Sequence, residues 1–275
     1  MATIRELERG VWLDESVPEE FRHDVEMLCH LLSDCVADLV VSLSLFEQAQ
    51  IVQTRPIESV PTADREEWQR ESEWRRAREA ELEAASGLVW GASDYFERSE
   101  EIRERVQREA LREKWEREGG PETYRRRLIF IHARSFVTTL AALQRALTAI
   151  CQYDFTPGVT ADLKRARDAF AAALPGLKGV RDSTAHVEDR VRGQQKLGRK
   201  IAPQPVVNSM IHAPRGGVML IESLNNQHFG GTIADGTYAE VEVADTTTEI
   251  ATTAVQAVFD GLPWRPGHRM HEPSS

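Results

Sequence analysis

Arg181, Asp182 and His186 fall within six residues of one another in the stretch VRDSTAHVEDR. Together these residue types can carry out one kind of phosphate chemistry. Imidazole titrates near neutrality, so His186 can act as general base or general acid. A guanidinium stays charged at any physiological pH, so Arg181 can hold a phosphate and stabilise the charge that develops on it. A neighbouring carboxylate, Asp182, can orient the imidazole and set its tautomer. This trio suits metal-independent cleavage of RNA, with the 2′-hydroxyl as internal nucleophile. One copy lacks either the base or the acid, and a twofold homodimer would supply the missing partner. The alternative is that Arg181, Asp182, His186 and Glu188 form a polar network, on the surface or between helices, with no turnover.

The stretch follows Pro175-Gly176, which must end or kink the preceding helix. It reads as a helix that begins at about Lys178–Val180 and ends near Gly193. At 100° per residue, Val180, Thr184, Val187 and Val191 form a core-facing line. Asp182, His186 and Arg190 share another face, and Arg190 is expected to add a substrate-binding cation. Arg181 lies about 140° around from His186, so its long side chain has to reach back.

Arg, a polar residue, three further residues and His, on the last helix of an antiparallel bundle, resembles the signature of the HEPN superfamily (higher eukaryotes and prokaryotes nucleotide-binding). RDSTAH fits that pattern residue for residue. The resemblance covers loosely residues 20–195. It implies a metal-independent endoribonuclease of the toxin or defence type, working as a homodimer on RNA. By it, Arg181 binds the scissile phosphate, His186 transfers protons and Asp182 supports them. A second match to the spacing, Arg127 to His132, has only apolar residues between its ends. Some members of the superfamily are inactive and serve as binding modules.

The rest of the chain limits the alternatives. Its 275 residues carry a net charge of −10, with 41% apolar and 28% charged residues. This is the composition of a soluble globular protein, and it argues against a broad basic surface for nucleic acid. Three cysteines, Cys29, Cys35 and Cys151, make no disulfide framework and no zinc pair, which fits a cytoplasmic location. The charged start MATIRELERG is no signal peptide, and the apolar run Cys35–Phe46, broken by Asp38, is too short to span a membrane. His30, His132 and His186 sit on different helices, but no Glu-x-x-His pair supports a metal site there. No metal or cofactor is therefore expected.

Overall, the sequence reads as mainly α. Residues 1–200 form an antiparallel helical bundle with a long charged helical hairpin inserted at 62–118. Residues 201–275 form a three-stranded antiparallel β-meander plus a terminal helix. Met1–Pro18 reads as an arm with a short helix, tucked down by Trp12 and Leu13. Phe21, Val25, Leu28, Leu32, Cys35, Leu39, Leu43 and Phe46 form the core stripe of a long first helix. TRPIESVPTAD is a connection in which Thr62 or Asp64 caps the next helix. Residues 194–216 read as a linker. The strands are GVMLIESL, HFGGTIA and TYAEVEV, with a tight hairpin at Asp235-Gly236. Thr246–Glu249 reads as a capping box opening the last helix, and the tail from Pro263 as frayed. Trp68, Trp74, Trp90 and Trp115 either seal the charged hairpin's own seam or mark a partner face. That leaves a second functional reading, a non-catalytic interaction module that binds a protein through the hairpin. A third is a nucleotide-binding module using Arg181 and Arg190.

Overall fold

The apolar period of the first long helix sets the core. In α1 (Glu19–Gln53), Val25, Leu32, Leu39, Leu43 and Phe46 are fully buried, at the threes and fours that keep one face inward. In α4 (Glu122–Ile150) the buried set runs from Ile129 to Ile150 and includes Phe136, Leu140, Leu143 and Leu147. A Ser42 to Ser135 hydroxyl contact of 3.2 Å links the two helices. α1 is long and apolar enough to cross a membrane, and 44% of its most apolar window is buried in this core. The computed structural model describes residues 3–53, 60–195, 198–209 and 211–272. Most of the expected connection, residues 54–59, lies outside them.

The chain divides into two compact units. One comprises Met1–Gln48 and Ile129–Ser275, and the other Ala49–Leu128. In the first, α5 (Pro157–Ala173) opens with Pro157, whose missing N–H costs nothing at a helix start. It packs on α8 (Asp245–Gly261) through Leu163, Ala166 and Phe170 against a buried line from Ala251 to Phe259. α6 (Leu177–Ala185) and α7 (Val187–Val191) come next. A two-residue pairing of β2 (Val206–Val207) with β3 (His212–Ala213) lies within the expected linker. The meander β4 (Ser223–Asn225), β5 (His228–Thr232) and β6 (Tyr238–Glu242) is antiparallel in that order. At its second turn Gly236 takes φ 91°, and Asp235 Oδ1 accepts bonds from the Thr237 N–H and hydroxyl.

Several local expectations are corrected. The arm contains strand β1 (Leu7–Gly10) rather than a helix, and the tail contains β7 (Arg269–Glu272), which pairs with it antiparallel. Arg9, 2% exposed, fastens that pair through Glu272, His30 and the face of Trp264. Leu13 is buried there, but Trp12 stays 62% exposed. The first strand of the meander is shorter than its apolar run because Glu222 adopts φ 48°, which breaks the extended path. α8 begins at Asp245 without a capping box. Thr246 bonds Glu242, and Thr248 turns fully inward. Thr62 and Asp64 lie inside α2 (Val60–Ser86), not ahead of it.

The second unit is built around the hairpin of α2 and α3 (Tyr95–Glu118). Its seam is thin: in α3 only Ser99, Val106 and Ala110 are buried. Arg78–Glu109 at 2.8 Å and Arg117–Glu67 at 3.1 Å cross between the helices. Further Arg–Glu pairs three or four residues apart line each helix. Gly119, at φ 75°, ends α3 in the left-handed conformation.

Candidate functional site

The sequence that carries the candidate trio folds as a corner. Pro175 and Gly176 close α5, and α6 begins at once. Two glycines let α6 lie directly on the sheet. A Cβ on Gly176 would stand 2.9 Å from the Glu240 carbonyl oxygen, and one on Gly179 2.8 Å from Ile233. Leu177 and Val180 are buried beneath it. The helix then stops at His186, whose φ −124° and ψ 44° lie outside the helical region, and α7 starts in a new direction. The expected single helix from Val180 to Gly193 is therefore two short ones. The break changes the facing of everything after it. Val191, expected on the core side, is 67% exposed, and Arg190, expected on the polar face, is 4% exposed.

His186 stands on the outside of the corner with 61% of its side chain exposed, and its Nδ1 lies 3.8 Å from Glu188 Oε1. It is not buried against the sheet. Arg181 and Asp182 form an ion pair of 3.0 Å, each about a third exposed. The buried Nε of Arg181 has no acceptor. The chain thus presents an exposed imidazole, five residues after a guanidinium that retains one unused donor.

Arg190 lies under the corner. Its Nε donates to Ser183 Oγ at 3.1 Å and its Nη1 to the Gln194 carbonyl at 2.7 Å. Ser183 in turn donates to the Thr232 carbonyl on β5 at 3.3 Å. Among the described residues no carboxylate pairs with Arg190. Beside it, between α6 and β5, is a crevice of about 10 Å³, room for one water-sized group. These surroundings make Arg190 a brace for the corner rather than a side chain presented to an incoming phosphate. The exposed cation of this segment is Arg192, 59% exposed and 2.7 Å from Asp189. Reading one continuous helix missed it. The only sequence signal for the break is the weak helix-forming run Asp-Ser-Thr before His186.

His186, Glu188 and Asp189 bring their ligand atoms within 4.8 Å of one another, the only such group among the described residues. They could hold a divalent cation from solvent, although Asp189 is already engaged by Arg192. The histidines considered earlier as a set are not brought together: His30 bonds Arg9, and His132 is half-buried, its pKa lowered by that burial. The three cysteines are free, and burial pushes the Cys29 thiol up to about 12 and the Cys35 thiol to about 11. Neither is a nucleophile near neutral pH.

In the hairpin unit, a cleft of about 580 Å³ near the open end is lined by Glu67, Arg70, Trp74, Ala110, Lys114 and Arg117, among others. Arg117 and Glu67 pair across it, and Lys114 and Arg125 both reach Glu118 beside it. Of the four hairpin tryptophans only Trp74 is drawn halfway into the seam; Trp68 is 62%, Trp90 77% and Trp115 38% exposed. Comparison with protein-family models, curated proteins and solved structures finds no match to this chain.

Proposed function

We propose that the α6–α7 corner is the active site of a HEPN-like, metal-independent endoribonuclease that acts as a homodimer. The observation that carries the reading is the exposure of His186 at the helix break, close in sequence to the Arg181–Asp182 pair. A proton-transfer group must reach the reacting oxygen, and an imidazole that is 61% exposed can do so. Arg181 is the phosphate ligand in this reading. An arriving phosphate oxygen would compete with Asp182 for its guanidinium and offer acceptors that Asp182 does not supply. Arg190 keeps Ser183 and the corner in place and acts through them. Arg192 takes the outer electrostatic role that Arg190 would have had on a continuous helix.

The 2′-hydroxyl attacks the adjacent phosphorus, and the 5′-oxygen leaves. His186 of one protomer takes the hydroxyl proton, and its counterpart in the second protomer protonates the leaving oxygen. The products are a 2′,3′-cyclic phosphate and a 5′-hydroxyl. Total cellular RNA is incubated with the purified protein in excess EDTA, beside His186→Ala. Cleavage that persists in EDTA and disappears in the variant is the expected result. Cleavage that EDTA abolishes would move the chemistry to a cation held by His186, Glu188 and Asp189. Intact RNA in both samples would leave the corner as a structural polar network.

A further inference from the structure

We propose that the turn end of the α2–α3 hairpin is a docking knob for a basic, amphipathic helix of a partner protein. The inference stands apart from the ribonuclease reading, since it concerns the other unit of the chain.

From Ser86 to Ser93 the sequence SGLVWGAS carries no charge, within a hairpin that is otherwise densely charged. The structure places this stretch at the turn, where Trp90 and Phe96 are each 77% exposed and Val89 66%. The rings brace one another edge to face, Trp90 with Tyr95 at 4.8 Å and Tyr95 with Phe96 at 5.6 Å. The turn is held in shape. Arg98 reaches back to the Ser86 carbonyl at 2.7 Å, and Ala92 and Tyr95 close consecutive backbone turns. A clustered, ordered and exposed set of aromatic side chains is the usual anchor of a protein interface.

The charge around the cap identifies the partner. Between Glu79 and Glu104, eight carboxylates face only two guanidiniums, Arg98 and Arg103, for a net charge of −6. Toward the open end, over Val60–Arg78 of α2 and Arg105–Glu118 of α3, ten basic residues face nine acidic ones, a net charge of +1. The hairpin is therefore polarised along its length. Among the described residues, Glu79, Glu83, Glu97 and Glu101 have no cation within 4.0 Å, whereas Glu81, Asp94 and Glu100 are paired. This unpaired collar repels RNA and anionic bilayers. It attracts a surface rich in Lys and Arg and steers it onto the apolar cap.

The full chain is titrated into a fluorescently labelled amphipathic peptide of Leu and Lys, and into the same peptide with Glu in place of Lys, with anisotropy as readout. Binding to the Lys peptide alone is expected, weakening as salt rises. Trp90→Ala with Phe96→Ala should weaken it at least tenfold. Glu97→Lys with Glu101→Lys should do the same and flatten the salt dependence. Glu66→Lys, near the open end, should change it less than twofold. All these side chains are exposed, so circular dichroism should show the fold unchanged. No binding, equal binding of the Glu peptide, or an unaffected cap variant would overturn the proposal. So would burial of Trp90 in phosphatidylcholine vesicles, or a concentration-dependent dimer of the full chain that the cap variant abolishes while peptide binding is absent.

Discussion

The α6–α7 corner and the α2–α3 hairpin are both rich in Arg and acidic residues, yet they are held together by different forces. The corner rests on buried apolar side chains, with Leu177 and Val180 under α6 and a nearly full burial of Arg190. Its polar groups are consequently sorted: Arg190 inward with neutral acceptors, His186 outward. The hairpin has few buried side chains and is stitched by surface ion pairs, each worth little and weakened by salt. Similar composition can thus make a rigid seat for a chemical group or a solvent-dependent stalk, depending on how much apolar surface lies beneath it.

Substitutions should separate the two regions by size of effect. Phe136→Ala, in the fully buried core of the first unit, should cost about 3–5 kcal/mol in urea unfolding. A loss under about 1 kcal/mol would mean that this unit is not held by its apolar core. Arg190→Ala should cost about 2 kcal/mol, because Ser183 and the Gln194 carbonyl lose a buried partner. Unchanged stability would show that the brace is dispensable. Val106→Ala should cost about 1.5 kcal/mol, confined to the hairpin's own transition.

Acid should act on the hairpin next. Hydrogen bonds from Arg78, then Arg105, hold the Glu109 carboxyl below its ordinary value. Its contribution is present above the unfolded value of about 4.3 and is lost as pH falls through the folded one. Helical signal should therefore decline on acidification below about pH 4, and Glu109→Gln should blunt that decline. The smallest effect on stability belongs to His186→Ala, within about 0.5 kcal/mol because the ring is exposed. Under the proposed function the same change abolishes RNA cleavage, so a stable and inactive variant is the sharpest signature of a working site.

Much of the architecture follows from local pattern. The stripe from Val25 to Phe46 repeats at threes and fours, and this alone defines α1 and its buried face. The Asp235-Gly236 turn and the charged hairpin ended by Gly119 are equally local, because turn geometry and helix ends need no distant partner. The three chemical residues Arg181, Asp182 and His186 were also legible as types at a spacing. Their facing was not. The helix break at His186 arises where α6 has met the sheet through Gly176 and Gly179, and it decides that Arg190 points inward while Arg192 points out.

The pairing of β1 with β7 was illegible for a similar reason. Leu7 and Glu272 are neighbours only once the rest of the first unit has folded, so neither end carries a strand signal of its own. By itself the sequence determined the periods, the turns and the inventory of reactive groups, which depend on residues a few positions apart. Tertiary structure alone decided which cation is buried, which imidazole meets solvent and where the termini join. Those outcomes depend on burial and on backbone hydrogen-bond partners supplied from far along the chain.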